Sequence, residues 1–317
     1  MSANVKTEDE YEDLLGLWSD LEAGLGIILG SPASVQEFEQ RVWQYDRWLQ
    51  ALLERDTDLG LYLLFQLATN SVVGYSASHA LVTAVLCHLV AAGLDLPKNE
   101  RDCLVHAAMT MNIAMTTLQD QLAGQSERPS AEQQSTIQAH AAQAVLLLNN
   151  FGIVDELWLD TVALHHDESA GTDTLTSMPQ AHRLARILRS VDRYAAMISP
   201  RKSREGRTAT DSAQLAITNS KSQQDEVGQV MLSAVGWYPP GTYVRLDNQE
   251  LAVVTLRTAL PKQPVVAIVL DGAGALLNPP RLHRLAEGGP GIKIALTTSA
   301  MHIHLNHHLI LRLSAAC

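Results

Sequence analysis

Apolar positions recur three and four residues apart through roughly the first two thirds of the chain. That spacing gives a helix one buried face. Leu14, Leu15, Trp18 and Leu21 predict a first helix. Phe38, Val42, Tyr45 and Leu49 predict a second, with Ser34 and Glu37 as its expected capping box. Leu59 to Leu67 predicts a third. Ser76 or Ser78 is the expected start of a strongly apolar helix to Val90. Pro97 marks the next start, with helix expected through Cys103 to Met115. Ser130 and Gln133 form another capping-box pattern, opening a helix that reaches Leu148 and stops before Gly152. Asp155–His166 and Gln180–Ile198 complete the helical series.

The period changes after Trp237. Pro239-Pro240-Gly241 is a strong breaker. Tyr243–Leu246 and Leu251–Leu256, joined by Asp247-Asn248-Gln249, predict a hairpin, and valine-rich Pro264–Leu270 predicts another strand. Thr172–Ser177 reads as a polar loop and Pro200–Thr210 as a basic one. The expectation is a mainly α chain in three parts. Residues 1–70 form an N-terminal helical region, 71–236 a helical bundle domain, and 237–317 a small β-rich C-terminal subdomain.

Composition narrows the function classes. Hydrophobic residues make up 46% of 317, enough to bury a core. Asp and Glu outnumber Lys and Arg by 34 to 23, a net −11, which opposes general binding to nucleic acid or anionic membrane. Cys87, Cys103 and Cys317 lack paired spacing. They exclude a disulfide scaffold and a thiolate zinc site, and point to a reducing compartment. Met1–Asp13 is polar and acidic, unlike an export signal. Ala80–Leu94 is interrupted by His88 and is shorter than the ~20 residues of a membrane span, so it reads as a buried helix. The expected location is the cytoplasm, in a chain of bacterial style.

The candidate chemistry lies in the placement of the histidines. His165-His166 is an adjacent pair at the end of an apolar helix, followed by Asp167 and Glu168. His140 lies in the preceding helix and His79 two helices earlier. Asp192 interrupts an apolar-and-arginine helix, and a carboxylate there needs an ion pair, hydrogen bonds or a metal. Helical bundles build metal sites from such inward side chains of several helices. Residues 183–207 hold eight basic side chains against Asp192 and Glu205. Arginine forks suit phosphate, whereas Arg183, Arg186 and Arg193 at helical spacing also read as a solvated face. The tail histidines, His302, His304, His307 and His308, lack a carboxylate or thiolate partner and read as inert.

Three stretches together resemble the HD-GYP family of HD-domain phosphohydrolases, over roughly residues 70–235. They are His165-His166-Asp167 with Gly171 after it, Ala185-Arg186-Ile187-Leu188 leading to Val191-Asp192-Arg193-Tyr194, and Ser199 to Arg204. The resemblance implies an HD-domain-like helical bundle. It also implies hydrolysis of cyclic di-GMP by a hydroxide bridging two or three metal ions. On the matching positions it implies His79, His140, His165, His166 and Asp192 as metal ligands, and Arg201 and Arg204 as phosphate contacts.

The departures fall on the signature dyad. Its histidine and aspartate positions hold Met111 and Asn112, the following lysine position holds Met115, and the early glutamate position holds Tyr75. The GYP stretch is missing after Gly171. A thioether binds hard or borderline cations poorly, and a neutral amide offers one oxygen where a bridge needs a charged carboxylate. The expectation is at most one divalent ion (Fe, Mn or Zn) on His140, His165 and His166. The functional reading is a non-catalytic or weakly active module that takes a cyclic dinucleotide or other phosphate ligand, or a protein partner, with a homodimer among the options. The alternative is an active metal-dependent cyclic di-GMP phosphodiesterase with an altered centre. Nucleic acid and membrane are not expected partners.

Overall fold

A computed structural model describes residues 8–70, 73–167, 174–199, 201–202, 206–208, 210–212, 215, 226–297 and 305–315. The body is helical: α1 Glu8–Gly30, α2 Phe38–Arg55, α3 Thr57–Asn70, α4 Tyr75–Gly93, α5 Lys98–Thr110, α6 Thr116–Ala123, α7 Ala131–Asn150, α8 Glu156–Leu164, α9 Gln180–Ile198 and α10 Glu226–Val235. A five-stranded antiparallel sheet follows, in the order β4-β3-β2-β1-β5. Its strands are β1 Tyr243–Leu246, β2 Leu251–Leu256, β3 Val265–Leu270, β4 Leu276–Arg284 and β5 Ile292–Leu296, and α11 His307–Ala315 comes last. The mainly α body with a small C-terminal β part is as expected. β4, β5 and α11 are additions that periodicity did not reveal.

The apolar helix α4 is the hub, packed by α1, α3, α5, α6, α9 and α10. By length and composition it would suffice to cross a bilayer, yet 78% of its most apolar window is buried inside the protein. It is apolar because neighbours surround it on nearly every side.

Local chemistry explains where elements start and stop. The Ser130–Gln133 capping box forms in both directions: Gln133 N–H donates to Ser130 Oγ at 3.2 Å, and Ser130 N–H to Gln133 Oε1 at 2.9 Å. The expected box at Ser34 and Glu37 does not form. A 3₁₀ turn at Pro32–Ser34 precedes α2, Ser34 Oγ donates to Ser31 O, and Glu37 itself is the N-cap at φ +52° without a side-chain bond. Serine does not cap α4 either. Asp120 of α6 reaches across and accepts from Ser76 N–H at 2.7 Å and Ser76 Oγ at 3.0 Å. Gly74 permits this entry at φ +144°. The helix expected to run to Met115 ends at Thr110, and a separate 3₁₀ turn covers Ile113–Met115.

The sheet is sealed on two sides. Tyr243, Leu251, Val253, Ala267 and Val269 belong to the same continuous core as Leu14, Leu81, Leu188 and Leu311. The alternate residues Val244, Leu246, Ala252, Val254, Val266 and Ile268 form a second, smaller core against Leu277, Leu285 and Ile292. The period-2 alternation of strands produces this division. Side chains also join sheet to helices: Gln66 donates to Gly241 O at 3.2 Å, and Tyr62 Oη bonds His307 Nδ1 of α11 at 2.7 Å.

Candidate metal centre

α7 carries His140, and the turn closing α8 carries His165 and His166. His140 Nδ1 donates to Ile137 O at 2.5 Å, and His165 Nδ1 donates to Val162 O at 2.6 Å. A carbonyl oxygen only accepts, so each Nδ1 carries the hydrogen. In neutral rings this leaves both Nε2 atoms as lone pairs. Those two atoms face one another at 3.2 Å.

Protonating one ring would relieve the clash, but burial works against it. Burial, then the neighbouring His166 charge, pushes His165 down to about 4. His140 is lowered mainly by burial. A cation between the nitrogens resolves the conflict. Two imidazoles bound tetrahedrally at 2.0–2.1 Å have nitrogens roughly 3.3 Å apart, close to the separation here. His166 completes the group: its ring centroid lies 5.0 Å from that of His140 and 4.1 Å from that of His165. The ligand atoms of all three lie within 4.8 Å of one another. His140 and His165 are buried and His166 is exposed, so the site opens on the His166 side. The backbone bonds at Nδ1 are the kind of outer contact that fixes tautomer and ring orientation in metal-binding histidines. The trio therefore suits one divalent ion with an open coordination position.

The other two expected ligands are not in this group. His79 of α4 and Asp192 of α9 bond each other, Nε2 to Oδ1 at 2.8 Å. Burial alone would raise the Asp192 carboxyl. The His79 hydrogen bond and charge outweigh it, with help from His165 and His166, and hold the group below its ordinary value. His79 Nδ1 is buried and has no hydrogen-bond partner among the described residues. Tyr75, one turn before His79, stacks on its ring at 5.5 Å and 9°.

Arg201 reaches this stack. Its Nη2 and Nε donate to Tyr75 Oη at 2.8 and 3.2 Å, and the guanidinium lies 4.8 Å from the ring centroid. Arg204 lies outside the described residues, as do Glu168, Gly171, His302, His304 and Cys317. Other arginines of the basic segment have structural partners. Arg183 grips buried Glu100 with Nη2 at 2.6 Å and Nε at 3.2 Å, and Arg189 donates to Asp167 O at 2.5 Å beside the histidine pair. The solvated-face reading thus fails for Arg183 and suits exposed Arg193.

Met111 is buried in the core just after α5. Half-buried Asn112 opens the 3₁₀ turn that packs on α7, and Met115 ends it. None of the three offers a charged oxygen. Sequence reasoning missed one buried polar pair, His106 Nε2 to Asp46 Oδ2 at 3.1 Å. The His106 ring packs on Trp158, whose Nε1–H donates to Thr110 Oγ1 at 2.9 Å. Its signal was Asp46 inside the apolar stripe of Val42 and Leu49. Both described thiols are free and buried: burial pushes Cys87 well above its ordinary value, and burial with Asp155 pushes Cys103 up to about 12. Comparison with protein-family models, curated proteins and solved structures gives no match.

Proposed function

We propose that this chain is an HD-GYP-like protein, its helical body an HD-domain-like bundle, that retains one ion position and has lost the other. In this reading it is a non-catalytic or weakly active cytoplasmic module of cyclic-dinucleotide signalling or protein interaction. The observation that carries the reading is the 3.2 Å approach of the His140 and His165 Nε2 atoms, each ring locked through Nδ1. Two lone pairs held together in a buried place are a ligand pair, and His166 supplies the third donor.

The loss of the second position rests on four residues. Met111 and Asn112 lack the charge and oxygens that a bridging position needs, and Asp192 and His79 satisfy each other at 2.8 Å. When bound, a single ion supplies Lewis acidity and lowers the pKa of a water. Without a second cation, the charge on a phosphodiester in attack is stabilised on one side only. The protein's own contribution is to hold three imidazoles and to offer Arg201 near Tyr75 as a phosphate contact.

The second reading, an altered but working cyclic di-GMP phosphodiesterase, is favoured by the exposed His166 side of the trio. Metal analysis of tag-free protein, loaded separately with Fe, Mn and Zn, combined with cyclic di-GMP hydrolysis, separates the two. The expected result is one ion per chain and negligible turnover. Two ions per chain with rapid turnover establish the second reading, and uptake of no ion overturns both.

A further inference from the structure

The three imidazoles are not held alike. His140 and His165 are each fixed by their own backbone, through Nδ1 to Ile137 O and Val162 O. His166 is exposed, and among the described residues its ring makes no hydrogen bond. Its placement therefore depends on the backbone of the turn that closes α8. That turn is pinned at the next residue. Asp167 N–H donates to Leu164 O at 2.8 Å, and Asp167 O accepts from Arg189 Nη1 at 2.5 Å. The second bond comes from another helix, α9, which packs on α8. A guanidinium on a carbonyl just past a helix C-terminus is charge-assisted and meets the negative end of the helix dipole.

We infer that Arg189 is the positioning residue of the third donor: by holding Asp167 O it keeps the turn, and with it His166, in place for the ion. The inference rests on the single-ion reading above. Electrostatics alone predicts the opposite sign. A guanidinium near a dication repels it, so removing the charge by itself tightens binding. Removing the tether frees the turn, and ordering it again around the ion costs affinity. Solvent on the exposed His166 side screens the repulsion. Partners outside the ligand shell are worth about 10–100-fold in affinity, so the loss of the tether wins.

The test is zinc binding to the full chain, measured by competition with a chromophoric chelator. Arg189→Met keeps an apolar stem and removes the charge and the donors. Arg189→Lys keeps the charge and a point donor, which suffices where a single nitrogen makes the bond. The expected result for Arg189→Met is an unchanged stoichiometry of one and affinity weaker by about tenfold or more. Arg189→Lys should recover most of that loss. A merely structural role would lower fold stability and leave the affinity of the folded chain alone. Unchanged or tighter binding by Arg189→Met overturns the inference, and so does a lysine variant as weak as the methionine one. Should Arg189→Met fail to fold by circular dichroism, a crystal structure of the zinc-loaded unaltered chain decides the same point. Arg189 must then bond Asp167 O with His166 on the ion. An ion without His166, or His166 on the ion with Arg189 turned away, overturns the inference. Unaltered protein that takes up no zinc overturns the single-ion reading together with this one, whereas one tightly held zinc indifferent to Arg189→Met overturns this one alone.

Discussion

His140 and His165 point their Nε2 atoms at each other across 3.2 Å while each gives its Nδ1 hydrogen to a carbonyl three residues earlier. Such an arrangement is unfavourable in a neutral, metal-free chain and favourable around a cation. Zinc should therefore stabilise the fold, by about 2.7 kcal/mol at a free concentration one hundred times the dissociation constant. Thermal unfolding with and without zinc measures this. His165→Ala should abolish the shift, and a shift that persists in that variant would place the ion elsewhere.

The same burial makes the metal-free protein sensitive to acid. His165 titrates at about 4 in the folded chain, against roughly 6.5 when unfolded. Between those values the unfolded chain binds more protons, so stability is full above about pH 6.5 and declines as pH falls towards 4. The loss from this group is of order 3 kcal/mol. His88, His140 and His307, all lowered chiefly by burial, add in the same direction. Denaturant unfolding in chelator at pH 7 and pH 5 should show the decline, and His165→Gln should reduce it.

Arg183 and Glu100 join α9 to α5 through a doubly bonded ion pair in which Glu100 is only 3% exposed. Removing one partner strands a buried charge. Arg183→Leu should cost about 3 kcal/mol, and adding Glu100→Leu should recover most of it. A double-mutant unfolding cycle reads the coupling. Because the fork of Arg183 is occupied by Glu100, the double variant should leave whatever cyclic di-GMP affinity is measured for the unaltered chain unchanged.

Gly241 meets α3 where the sheet docks. Its φ is +89°, and an added Cβ would lie 2.9 Å from Tyr62 O and 3.0 Å from Phe65 Cβ. Gly241→Ala combines backbone strain with a backbone clash and should destabilise by about 2 kcal/mol or more. Chemical denaturation checks this. Gly152, at φ +87° but with open space around it, is the comparison: alanine there bears the strain without the clash and should cost less.

Asp155 caps α8 through Trp158 N–H at 3.1 Å and also accepts from the Cys103 thiol at 3.4 Å. Asp155→Ala should remove about 1 kcal/mol of stability. It should also make Cys103 react faster with a disulfide reagent, since one of the charges that holds its thiol protonated is gone. Equal labelling rates in the two proteins would contradict the link.

The local features were legible because they depend on neighbours in sequence. Gln180–Ile198, the Ser130–Gln133 box, the helix beginning at Asp155 and the hairpin at Tyr243–Leu256 follow from apolar spacing, short polar side chains and turn residues within a few positions. The pair His165-His166 was legible too, as two polar rings at the end of an apolar helix that need partners. Long-range facts were not legible. Asp120 capping α4 lies 44 residues from Ser76, and Asp46 meets His106 across 60. β4 and β5 carry a weak burial pattern and exist through pairing with β3 and β1. The decisive partition was also tertiary. Spacing treats His79, Asp192, His140, His165 and His166 alike as candidate ligands, but α4 and α9 bring the first two into contact with each other, while α7 and α8 gather the other three. Periodicity within one helix constrains which face is buried, and only the packing of several helices sets which polar groups on those faces meet.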